Sequence, residues 1–88
     1  MIGTSNLISI PTVDRKATAV NIRRLMDKAG ISVSDVQEAM MFEYPQAIYK
    51  WLQGKNLPSL DNMVILAHLL HVTVDEIVIL EGGEKNGL

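Results

Sequence analysis

The side chains of this sequence with the most distinctive chemistry lie between Glu43 and Ser59. This segment is rich in aromatic residues and amides, has two lysines, and has no acidic residue after Glu43. If the segment is helical, each residue rotates by about 100°, which separates polar from apolar side chains. The polar side carries Gln46, Tyr49, Lys50 and Gln53. The apolar side carries Tyr44, Ile48, Trp51 and Leu52, which predicts a helix with a core face and a polar face.

The polar face has the chemistry of major-groove recognition. A glutamine amide can pair with adenine N6 and N7, a lysine can reach guanine or a phosphate, and a tyrosine can contact a thymine methyl group or a phosphate. A carboxylate would be repelled by the DNA backbone, and this face has none. The helix alone leaves a second interpretation open, which is a solvated polar face of an ordinary core helix.

Positive charge is concentrated in two windows of this acidic chain. The formal net charge is −2, yet residues 15–26 contain four basic residues and no acid, and residues 44–60 contain two lysines and no acid. Nucleic-acid-binding domains are usually basic, so the total charge argues mildly against such a partner. The segregation of charge instead predicts a local positive surface on an acidic protein.

Length and composition indicate one small globular domain. The chain has 88 residues, of which 48% are hydrophobic and 20% are charged. It has no cysteine, which excludes disulfides and thiolate metal sites. No apolar run reaches the roughly 18 residues of a membrane span. We therefore expect a cytoplasmic protein without a signal peptide, and no membrane partner.

Capping signals divide the chain into short helices. The predicted N-caps are Asp14, Ser32, Ser59 and Thr73, and the last of these opens only a short fifth helix or turn. The first four helices are predicted at about 15–29, 33–41, 45–53 and 60–70. Pro45 is expected at the first position of the third helix, where its missing N–H costs nothing. Ile77–Leu80 can end the fifth helix or form a strand paired with Leu7–Ile10.

Apolar residues at helical spacing predict the core. The side chains expected inside are Ile22, Leu25, Met26, Ala29, Val36, Ala39, Met40, Tyr44, Ile48, Trp51, Leu52, Leu60, Met63, Val64, Ala67 and Leu70. The pattern predicts an all-α fold, a compact bundle of four to five short helices, with the possible addition of a short pairing between the two chain ends.

Other candidate chemistry is weak. His68 and His71 are three residues apart but have no third metal ligand near them in sequence. Asp75 and Glu76 are adjacent on a helix, so their carboxylates diverge, and Glu76 has a capping role. The sequence has no nucleophile elbow and no phosphate-binding glycine loop. We predict no enzyme, no catalytic residue, no metal, no cofactor and no small-molecule ligand.

A larger pattern extends from about Ala17 to Ile77. The stretches "AGIS", "PQAIYKWLQGK", "LPSLDNMVILAHLL" and "VTVDEI" follow one another there. Together they resemble the Cro/phage-repressor (XRE) type of helix-turn-helix DNA-binding domain, in its small bacterial single-domain form. The resemblance implies five helices, with the second and third forming the motif and the third entering the major groove of double-stranded DNA.

The resemblance also assigns roles within the third helix and the loop after it. It places Pro45 and Gln46 nearest the bases, puts a later base contact at Lys50, and places Gln53, Lys55 and Asn56 at phosphates. The polar face adds Tyr49 to the base-reading set. Arg23, on the polar side of the first helix, is a further phosphate candidate, although a solvated position fits it equally well.

The chain departs from the family pattern at three places, and two of these, at Val33 and Glu43, support an alternative function together with the overall acidity. An arginine–glutamate pair usual in the family is replaced by Met26 and Leu52, and the first residue of the second helix is Val33 instead of a phosphate-binding polar residue. The turn before the third helix is one residue longer and carries Phe42 and Glu43. The alternative is a protein-interaction or antitoxin-like module on the same fold with weak or no DNA binding.

The sequence therefore predicts a transcriptional regulator that binds specific DNA, as a homodimer on a two-fold operator. The expected organisation is an N-terminal arm at 1–13, a helix-turn-helix domain at 14–80 and a flexible tail at 81–88. The dimer surface is predicted either on the fifth helix with Ile77–Leu80 or on the Leu7–Ile10 segment.

Overall fold

The described part of the chain folds as a bundle of five α-helices. The computed structural model describes residues 10–82. Its helices are α1 (Arg15–Ala29), α2 (Val33–Met40), α3 (Gln46–Leu52), α4 (Leu60–Leu70) and α5 (Val74–Ile77). Across these described residues there is no strand, and the β structure consists of one isolated antiparallel bridge between Val13 and Leu80. The predicted all-α class is confirmed.

The helix ends lie where local side chains satisfy the free backbone groups. The Asp14 carboxylate accepts the Ala17 N–H at 2.9 Å and starts α1. Gly30 ends it with φ of 71°, a left-handed conformation that glycine adopts without steric cost. The predicted N-caps of α2, α4 and α5 are confirmed at Ser32, Ser59 and Thr73, and the first and last of these are full capping boxes.

The core lies where α1 contacts α3, α4 and α5, while α2 packs on α3 and α4. The most completely buried side chains are Ile22, Met26, Ile48, Leu66, Ile77, Val36 and Thr18. Most of the predicted core is found inside. Met26 is 1% exposed, and Leu52 packs half-buried against the same cluster. Apolar side chains of the core cluster therefore occupy both positions of the charged pair usual in the resembling family.

Several predicted core positions are wrong. On α4 the inward side chains are Met63, Leu66, Ala67 and Leu70. Leu60 and Val64 lie about 70° and 110° away from the centre of that face, so they are 75% and 54% exposed. The exposed positions also include Ala29, Ala39 and Tyr44. Tyr44 precedes α3, so helical rotation does not govern its direction.

The two ends of the described chain pair beside α1. The Asp14 N–H donates to the Ile79 carbonyl and the Glu81 N–H to the Thr12 carbonyl, both at 2.7 Å. The buried Thr18 hydroxyl accepts the Ile79 N–H at 3.0 Å. The pairing partner is therefore Thr12–Asp14. The predicted pairing segment is Leu7–Ile10. Ile10 lies outside the bridge, and residues 7–9 lie outside the described part of the chain.

A buried carboxamide joins α5 to α1. Asn21, 8% exposed, donates to the carbonyls of Glu76 and Ile77 at 2.8 and 2.9 Å. Its carboxamide oxygen accepts two bonds from the Arg24 guanidinium, at 3.2 and 2.8 Å. Because the last carbonyls of a helix lack partners within it, Asn21 completes the C-terminal end of α5. Within residues 10–82, no helix has the length and apolar character needed to cross a membrane.

Candidate nucleic-acid interface

A short turn leads from α2 into α3. Met41 ends α2 in a left-handed conformation with φ of 60°, and the Phe42 N–H returns to the Gln37 carbonyl at 3.1 Å. The next helix begins at Gln46, one residue later than predicted, with Pro45 at the position before it. The Tyr49 N–H donates to the Pro45 carbonyl at 3.1 Å, so Pro45 still opens the hydrogen-bond ladder.

Gln37 holds this turn in place. Its side-chain amide donates to the carbonyls of Phe42 and Glu43 at 3.3 and 3.2 Å. The Phe42 ring meets Trp51 edge-on, with ring centroids 5.9 Å apart and an interplanar angle of 64°. The longer turn is thus tied to α2 by hydrogen bonds and to α3 by an aromatic contact. Sequence reasoning missed Gln37, because its partners depend on the path of the turn.

The two faces predicted for α3 are present except at Tyr44, which precedes the helix and is exposed. Ile48 and Trp51 are 1% and 5% exposed and fix the helix to the core. The exposed side chains are Gln46, Tyr49, Lys50 and Gln53, with Ala47 among them. Tyr49 is 46% exposed, so its ring is partly covered and its direction is restricted. A rigid helix therefore presents amide, phenol and ammonium groups together to the outside.

The loop after α3 is organised around one carbonyl. The Lys50 carbonyl accepts the N–H groups of Lys55 at 3.0 Å and Asn56 at 3.4 Å. Gly54, with φ of 74°, makes the reversal that allows this. The side chains of Gln53, Lys55 and Asn56 are exposed at the C-terminal end of α3. The loop thus continues the polar surface of the helix.

The beginning of α1 packs directly against this loop. The Arg15 Nη1 donates to the Lys55 carbonyl at 3.3 Å. A Cβ on Gly54 would lie 3.1 Å from both Cα and Cγ of Lys16, so only a glycine allows this approach. The two basic windows of the sequence therefore meet in space. Their contact joins residues 40 positions apart, a distance at which no local pattern could reveal it.

A family comparison agrees with this geometry. A family described as "Helix-turn-helix" matches residues 22–77, which is well over half of the chain and runs from the middle of α1 to the end of α5. The chain belongs to the helix-turn-helix family. The motif itself is α2, the turn at Met41–Pro45 and α3, and domains of this family bind DNA. Neither the curated proteins nor the solved structures contained a match.

Arg23 lies apart from the other candidate residues of this helix-turn-helix protein. It is exposed on α1 and lines a shallow depression beside the turn into α2, together with Asp27 and Ser32. Seven residues separate it from Lys16, or about 10 Å along the helix. The seven other predicted site residues are on α3, directly before it, or in the loop that follows it.

The N-terminal end of α2 in this helix-turn-helix protein is occupied by its own carboxylate. Asp35 accepts the Ser32 N–H at 2.8 Å, and its own N–H donates to the Ser32 hydroxyl at 3.1 Å. The hydrogen bond from the Ser32 backbone, followed by that from its side chain, lowers the pKa of Asp35. Val33 is half-buried. The start of α2 therefore carries a negative charge at neutral pH.

Proposed function

We propose that this helix-turn-helix protein is a transcriptional regulator that recognises specific DNA sequences with α3 in the major groove. The observation that carries the proposal is the exposed, acid-free face of α3. Gln46, Tyr49 and Lys50 lie on a helix that Ile48 and Trp51 hold rigidly to the core. Preorganised amide and ammonium groups at helical spacing suit hydrogen bonding to base edges.

The proposed contacts fall into two groups. Gln46 and Pro45, at the start of α3, lie nearest the bases, and Lys50 and Tyr49 reach bases or adjacent phosphates one turn later. The residues proposed to contact phosphates are Gln53, Lys55, Asn56 and Arg23. Base contacts of this kind supply sequence preference, whereas phosphate contacts set position and make the affinity depend on salt.

We further propose that the regulator binds as a homodimer to a two-fold operator in the cytoplasm. Two copies related by a two-fold axis can place two α3 helices one turn of DNA apart. The C-terminal segment supports a dimer surface there, because Leu80 is 45% exposed at the end of the chain pairing. Measuring the mass in solution after truncation of residues 1–10, which leaves the Thr12–Asp14 pairing in place, distinguishes this surface from the N-terminal segment.

A second function is favoured by one observation. Carboxylates occupy the start of α2, at Asp35, and the turn before α3, where Glu43 is exposed. Both would approach phosphates if α3 entered the groove. A protein-interaction or antitoxin-like module with weak DNA binding would not be affected by them.

Selection from a randomised duplex pool at low salt separates the two functions. We expect the wild type to enrich one sequence, and Gln46→Ala to relax preference at a single base position by about 1–3 kcal/mol. Lys50→Ala should weaken binding, whereas Lys28→Ala removes the same charge from the last turn of α1 and should leave selection unchanged. If the wild type enriches no sequence and its binding does not depend on salt, the regulator proposal is wrong.

A further inference from the structure

A compact basic cluster lies where α1 begins. It consists of Arg15, Lys16, Lys50 and Lys55, all of which are exposed. The first two are brought to the loop after α3 by the Arg15–Lys55 hydrogen bond and by the close packing of Lys16 on Gly54. The cluster is built from side chains, since the Asp14 carboxylate already accepts a backbone N–H at this helix end.

The charge around the cluster suits a polyanion. Neither basic window contains an acid, and the two positive charges of Arg15 and Lys16 outweigh the one negative charge of the neighbouring N-cap, Asp14. The cluster stands out on a chain with a net charge of −2. A surface of one sign of charge attracts a ligand of the other, and DNA carries a phosphate about every 3.4 Å along each strand.

We propose that Arg15 and Lys16 form an additional phosphate-binding site for the same DNA strand whose backbone meets Lys55. This inference rests on the proposed function, because it assumes that α3 and its loop approach DNA. A DNA strand that passes the loop after α3 continues toward the start of α1. There Arg15 and Lys16 bind phosphates next to those bound by the loop.

The family match does not include the two residues of this site. The match begins at Ile22, so Arg15 and Lys16 lie outside it. The site also compensates for a weak start of α2, where a half-buried Val33 and the Asp35 carboxylate make a poor phosphate site. In this proposal the side chains at the start of α1 bind the DNA backbone, in place of those at the start of α2.

The test is the salt dependence of binding to the duplex selected by the full chain. The slope of log affinity against log salt is negative, and Arg15→Gln and Lys16→Gln should each make it less steep by about 0.9, with base preference unchanged. Each of these substitutions should therefore make the fall in affinity across a fourfold rise in salt about 3.5-fold smaller. Lys28→Gln is the charge-matched control, since it changes the net charge equally at the opposite end of α1.

The outcomes distinguish this inference from the proposed function. If the wild type binds its selected duplex but Arg15→Gln and Lys16→Gln have the same slope as Lys28→Gln, the site at α1 is wrong and the regulator proposal stands. If the wild type selects no duplex, both are wrong. Thermal unfolding of each variant confirms folding, and Lys16→Gln serves as the second test if removal of the Arg15–Lys55 bond disturbs the loop.

Discussion

The Asn21 carboxamide is the contact between α1 and α5 whose removal should be most informative. Its side chain satisfies two carbonyls of a four-residue helix, and the bond to the Ile77 carbonyl is buried. Asn21→Leu keeps the branched shape and the number of side-chain heavy atoms, so it removes the hydrogen bonds without creating a cavity. Both carbonyls lose their donor in this variant.

The magnitude follows from those bonds. Two hydrogen bonds contribute about 1–3 kcal/mol net, and leaving the buried Ile77 carbonyl without a partner adds to the destabilisation. We expect Asn21→Leu to lower the free energy of unfolding by about 3 kcal/mol. A domain of 88 residues has about 4–13 kcal/mol in total, so much of the stability would be removed. The melting temperature should fall by about 12–24 °C.

Urea unfolding and thermal unfolding followed by circular dichroism measure the effect. Arg24→Met is the control, because it removes the donors to the Asn21 oxygen and leaves both carbonyl bonds in place. Since the Arg24 side chain is exposed, water can replace its contacts, and the destabilisation should be below about 1 kcal/mol. A melting temperature for Asn21→Leu within a few degrees of the wild type would refute the assignment of α5 docking to this carboxamide.

Two further predictions concern left-handed backbone and helix capping. Met41 and Gly54 both have positive φ, at 60° and 74°. Met41→Gly should raise the free energy of unfolding by about 0.5–1 kcal/mol, because glycine adopts this conformation without steric cost. Gly54→Ala should lower it by at least about 1–2 kcal/mol, because the new Cβ meets Lys16, and thermal unfolding of the two variants tests these opposite signs. Asp35 has a pKa below its ordinary value of 3.8, because Ser32 donates to its carboxylate. The charged carboxylate therefore stabilises the fold fully above pH 3.8, and this stabilisation disappears as the pH falls through the lower pKa of the folded state. The stability difference between wild type and Asp35→Ala should therefore shrink on acidification below about pH 4, and a difference that grows there would contradict the capping role.

The helix boundaries could be predicted because the signals for them are local. Each N-cap bonds to a backbone group three residues away, so Asp14, Ser32, Ser59 and Thr73 could be recognised from short stretches of sequence. The two faces of α3 also follow from rotation alone, once the helix is placed.

The features that could not be predicted join residues far apart in the chain. The Asn21 bonds to α5 span 55 and 56 residues, and the Arg15–Lys55 bond spans 40. Their existence depends on how helices pack, which no local pattern determines. The error at Leu60 and Val64 has the same origin. Apolar residues on α4 mark two possible inward directions, and packing against α1 and α2 selects the one centred between Met63 and Leu66.

The apolar junction between α1 and α3 affects how binding measurements should be interpreted. Met26 is fully buried, and Leu52 packs against the same core cluster, so α3 is held to α1 without a charged pair there. Apolar packing is not weakened by moderate salt, whereas exposed ion pairs are screened by it. Rising salt should therefore leave α3 in place while it weakens phosphate contacts. A decrease in DNA affinity with salt would then report the number of phosphates contacted, and the change at Arg15 or Lys16 would measure their share directly.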